Sequence, residues 1–197
     1  MEEQPPNGVQ EHTSEVSRDE KSEAQAHVEE GRLFYRQGKF GEALSSLYVA
    51  YKRYSEDGDQ SRIAEVANDM GVVCTVLQRW DEAGKWLNEA HDWFTKISDY
   101  SGEAQALGNL GSMFRARGDL KQAAANFQLA ADRFHLVGDD QRRAATLRAL
   151  TIVRLSQFRF FQALAAYDAA LACESAPTFF QRLLRRIISA PLRMIRG

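Results

Sequence analysis

Apolar residues between about residue 24 and residue 175 recur at helical spacing, and the recurrence itself repeats every 40 residues. Small residues mark the register. Gly31, Gly71 and Gly111 share one column, with Thr151 as the fourth member. Ala43, Ala83, Ala123 and Ala163 form a second, and Ala50, Ala90, Ala130 and Ala170 a third. Large residues run between and around them: Phe40, Trp80, Leu120 and Phe160 before the first alanine column, Leu47, Leu87, Phe127 and Tyr167 after it. Tyr54, Phe94 and Phe134 add an aromatic column that fails at Glu174. A fixed period in this range predicts a solenoid of stacked supersecondary units.

Each unit reads as two helices, A and B, which in the third unit are predicted over 101–117 and 120–136. Gly38 and Gly118 fall in A–B turns. Gly58-Asp59, Ser98-Asp99 and Gly138-Asp139 fall in the turns that lead to the next unit. Glycine suits the left-handed residue after a helix, and aspartate suits an N-cap. The small columns predict close helix crossings, with Gly31 against Ala43, Gly71 against Ala83 and Gly111 against Ala123. Four units follow, over about 24–60, 61–100, 101–140 and 141–175, and each buries the face its neighbour leaves bare.

The columns Gly31, Phe34, Ala43, Leu47 and Ala50, repeated as Gly71, Cys74, Ala83, Leu87 and Ala90 and as Gly111, Phe114, Ala123, Phe127 and Ala130, resemble the tetratricopeptide repeat (TPR) consensus. The resemblance covers about 150 residues. It implies an all-α, right-handed superhelical solenoid of four helix-turn-helix repeats; Ser175-Ala176-Pro177-Thr178 then breaks the last repeat helix, and one more, C-terminal helix is predicted over about 179–190. The 40-residue period is longer than the usual one and is similar to that of spindle-orientation adaptors and of bacterial signalling proteins with TPR sensor domains. The proline that usually closes helix B is absent from every unit, and the fourth unit carries Thr151 and Arg154 at the glycine and aromatic columns.

Charge separates the ends from the middle. Residues 1–30 hold nine acids against Arg18 and Lys21, residues 31–175 are balanced, and residues 176–197 hold five arginines and no acid. Residues 1–22 are polar, acidic and contain Pro5-Pro6, which predicts a disordered tail. The balanced middle offers no basic stripe for nucleic acid. No secretory signal or membrane-spanning stretch is apparent, which points to a soluble, cytoplasmic protein. Cys74 and Cys173 sit in apolar helical patterns and read as small buried hydrophobes.

No catalytic, metal or cofactor constellation emerges. The four histidines are scattered, and no thiol pair or phosphate-binding loop is present. Trp86 and Trp93, seven residues apart on one helix B, share a face that reads as buried. The resemblance implies a concave surface lined by the A helices. Carried over by register, its candidate contacts are Arg32, Tyr35 and Arg36 in the first unit and Asn68 in the second. The third unit supplies Gln105, Asn109, Ser112 and Arg115, and the fourth Arg148. Amides there can bond a peptide backbone, and arginines can fork onto carboxylates. The implied partner is a protein or peptide, acidic in the reading that weights the arginines, and the implied role is a non-catalytic adaptor or scaffold.

Two other readings stay open. In the 176–197 segment, Phe180, Leu184 and Ile188 fall on one helical face, and Arg182, Arg185 and Arg186 on the other. That helix either caps the solenoid or contacts an anionic membrane, which would make the chain a peripheral recruitment factor. A regulatory sensor domain or a cryptic enzyme is the remaining alternative.

Overall fold

The computed structural model describes residues 23–173, and all regular structure in that range is helical. Helix α1 covers 23–36. It is followed by α2 (Phe40–Asp57), α3 (Gln60–Val76), α4 (Trp80–Lys96), α5 (Tyr100–Arg117), α6 (Leu120–Leu136), α7 (Asp140–Ser156) and α8 (Phe160–Ala172). The A and B helices of the third unit match the predicted spans to within one residue. The acidic tail 1–22 and the C-terminal set Phe180, Arg182, Leu184, Arg185, Arg186 and Ile188 lie outside the described residues.

The punctuation is stricter than the sequence implies. A left-handed residue occurs every twentieth position: Gly38, Gly58, Gln78, Ser98, Gly118, Gly138 and Phe158. At each one, the N–H of the following residue bonds back to the carbonyl five residues earlier, as in Asp59 N to Tyr54 O at 3.0 Å and Arg159 N to Arg154 O at 2.9 Å. This is the Schellman closure, which consumes carbonyls that the helix end would leave bare. The next helix starts at once. Asp59, Asp99, Asp119 and Asp139 accept from first-turn amides, as in Asp139 Oδ1 from Arg142 N at 2.8 Å. Lys39, Arg79 and Arg159 hold the same position without a side-chain cap.

From α2 to α8 each helix packs on its chain neighbours, and α3 also touches α5, so these two A helices lie side by side. The alanine columns are fully buried. At the glycine column the nearest group is the large residue one turn beyond the predicted alanine. A β-carbon on Gly71 or Gly111 would collide with Leu87 or Phe127, one turn beyond the expected alanine. On Gly31 it would meet Leu47 first, at 2.8 Å, and the Ala43 carbonyl at 3.2 Å. The absent side chain therefore makes room for the large residue that plugs the helix pair. Trp86 and Trp93 are half-buried against the core, with Lys85 and Lys96 over their rings. Cys74 is buried, which pushes its thiol pKa up, and Cys173 is half-buried. At the end of the array, Phe160 is 62% exposed, whereas Phe40, Trp80 and Leu120 in its column are half-buried.

Candidate functional site

The layer of A helices carries two adjoining cavities of about 200 Å³ each, and Arg32 lines both. The first lies between α1 and α3, with Tyr35 and Arg36 at its rim and Leu47, Val72 and Val73 among its lining residues. The second reaches across α3 to α5 and is lined by Glu65, Asn68, Asp99, Ser101 and Gln105. Of the residues carried over by register, the structure gathers Arg32, Tyr35 and Arg36 around one cavity, and Arg32, Asn68 and Gln105 around the next.

The polar groups are tied across units at nearly one repeat period. Arg32 Nε donates to Asp69 Oδ2 at 2.9 Å, across 37 residues. Asn109 Nδ2 donates to Asn68 Oδ1 at 2.8 Å, across 41. Burial pushes the Asp69 carboxyl pKa up, and the Arg32 charge only partly pulls it back. Burial also works against the Arg32 guanidinium, but Asp69 outweighs it and holds that pKa above its ordinary value. Arg32 therefore already has a carboxylate, and Asn68 is a buried inter-unit tie.

The remaining candidates are more open. Arg36 is exposed, and Tyr35 rests edge-on against Phe40 at 5.6 Å. Ser112 Oγ turns back to the Gly108 carbonyl at 3.0 Å. Arg115 and Arg148 are exposed and line neither cavity. Val76, Ile152 and Leu155 leave apolar surface on the same helices. The sequence reading missed Asp69. The signal was available: an acid on an A helix, 37 residues from an arginine on the preceding one. Among the described residues, no group of three or more histidine, cysteine or acidic side chains is placed to hold a metal. No described helix is long and apolar enough to cross a membrane. Chemically, the surface can seat side chains in shallow pockets and offer amide and guanidinium donors beside them.

Comparison with known proteins agrees with this architecture. The family model described as tetratricopeptide repeat matches residues 62–135. Regulatory protein RapG of Bacillus subtilis (strain 168) is 27% identical over 123 residues, which is 62% of this chain and 32% of that protein. The chain thus spans about a third of the length over which this relative extends. The crystal structure of BtubC (BKLC) from P. vanneervenii superposes with a TM-score of 0.63 at 18% identity, covering 85% of this chain and 65% of that one. At that identity the likeness concerns the fold.

Proposed function

Since this chain is a tetratricopeptide-repeat protein, we propose that it is an adaptor that binds an extended or helical segment of another protein along the A-helix layer. Repeat arrays of this kind present long continuous surfaces rather than reaction centres. The observation that carries the reading is the pair of adjoining cavities sharing Arg32, which offers consecutive side-chain pockets across α1, α3 and α5. A bound segment would set one side chain in each pocket and bond its backbone to Gln105 and Ser112. Asp69 occupies Arg32, so Arg36 and Arg115 are the arginines through which an acidic segment would be recognised.

A peptide selected against the protein from a random display library tests the reading. Arg36→Glu with Arg115→Glu should weaken it at least ~10-fold, the equivalent of ~1.4 kcal/mol, while the melting temperature holds. Unchanged affinity in a folded double variant would refute the assignment.

A further inference from the structure

The largest of the cavities described here lies elsewhere. It holds about 370 Å³ between α6 and α8, over α7. Its α7 residues, Arg143, Leu147, Leu150 and Arg154, stand on the opposite side of that helix from Arg148 and Ile152, because successive residues turn by about 100°. The cavity is therefore separate from the surface proposed above.

The repeat shows what is different about it, because the same groove occurs twice earlier in the array. Over α3, the groove between α2 and α4 is closed by Tyr51 and Trp86, packed edge to face at 5.1 Å, with the Tyr51 hydroxyl donating to Glu89. Over α5, the groove between α4 and α6 is bridged by Glu103, which accepts from Arg133 Nε at 2.9 Å and faces His91 Nε2 at 3.7 Å. In the last groove these positions change together. Ala131 stands in register with Tyr51 and His91, and Ala166 with Trp86. Cys173 stands where Arg133 does, and Arg143 takes the place of Glu103. The plug is gone and the central charge is reversed.

The arginines of this cavity are also paired differently from most others in the structure. Arg32, Arg53, Arg62, Arg79, Arg133 and Arg142 each meet a carboxylate. Arg143 instead bonds His135 at 3.0 Å, Arg154 bonds Gln157 and Arg159 bonds Gln162. Asp132 is the one acid in the lining, and it accepts from Gln128. Burial and then the nearby Arg159 hold the Arg154 guanidinium pKa below its ordinary value.

We propose that this cavity is a second docking site, which takes an acidic peptide segment presenting one aromatic side chain next to carboxylates. The aromatic ring fills the space that Trp86 and Tyr51 fill two units earlier. The carboxylates fork onto Arg143, Arg154 and Arg159. The volume suits one or two side chains, and the apolar floor of Leu147, Leu150 and the alanines rewards burying a ring.

The probe is a dye-labelled pentapeptide with tryptophan at its centre and glutamates on both sides, followed by fluorescence anisotropy. Its controls are flanked by lysine or centred on glycine. The acidic tryptophan peptide should bind, and both controls should bind at least ~10-fold more weakly. Arg143→Glu with Arg154→Glu should abolish binding, and Arg115→Glu on the other face should leave it intact. Ala166→Trp rebuilds the plug from within, so it should remove binding without lowering the melting temperature. The proposal is overturned if the acidic peptide does not bind, or if the Arg115 variant loses it while the cavity variants keep it. Binding to anionic vesicles in place of the peptide would overturn it too, in favour of a lipid surface.

Discussion

The ring of Phe127 occupies the space a side chain on Gly111 would need: a β-carbon there would stand 2.8 Å from Phe127 Cδ1. Real carbons do not approach so closely, and both residues are buried. Gly111→Leu should therefore destabilise the fold by ~1–3 kcal/mol through overpacking. Combining Gly111→Ala with Phe127→Leu should recover much of the loss that Gly111→Ala causes alone. Gly84 is the contrast, since a β-carbon there meets only Met113 Cε at 3.7 Å. Gly84→Ala should stabilise by ~0.5–1 kcal/mol through helix propensity. Urea melts of the four variants check the set.

Phe158 is 80% exposed and sits at φ 58°, in a turn whose counterparts at 38, 118 and 138 are glycine. A left-handed conformation costs a residue with a β-carbon roughly 1–2 kcal/mol. Phe158→Gly should raise stability by about 1 kcal/mol, and Gly118→Ala should lower it by a similar amount. Thermal melting distinguishes the two signs.

Glu103 is buried at 4% exposure between Arg133 and His91. Arg133→Ala would strand its carboxylate, costing ~1–3 kcal/mol or more. Replacing both by leucine should cost less than Arg133→Ala alone, because the buried charge goes with its partner. Denaturant midpoints of the two variants provide the test.

Tyr51 carries a pH dependence. Burial, then its bond to Glu89, raises the phenol from its ordinary 10.0 to about 12. Between those values the folded chain keeps a proton that the unfolded chain releases. This stabilisation is complete below the unfolded pKa and is lost as pH rises through the folded one. Stability should therefore fall between pH about 10 and about 12, and Tyr51→Phe should flatten part of that fall. Urea titrations across the window measure it.

The repeat, its helix pairs and the small-residue columns were legible in the sequence because backbone crossings recur at fixed positions and tolerate few residues. The turns were only half legible. Gln78 and Phe158 take the left-handed conformation because backbone hydrogen bonds close each helix whatever the side chain, so no glycine announced them. The partner of Gly111 was displaced by one turn, since spacing along one helix does not fix the offset of the next. The candidate surface was read as a set of free donors, yet Arg32 and Asn68 are committed to Asp69 and Asn109 one unit on. The open groove over α7 shows only when equivalent positions are compared in space, where Ala131 and Ala166 stand against Tyr51 and Trp86 of the first groove.

Photo-cross-linking from single sites tests most directly whether the A-helix layer receives the partner. A benzophenone side chain placed at Gln105, on α5 beside the second cavity, is compared with one at Tyr48, exposed on α2. With a ligand peptide selected for binding, the account predicts a covalent adduct from position 105 and none from position 48. An adduct from position 48 alone would place the partner on the other layer and contradict the account.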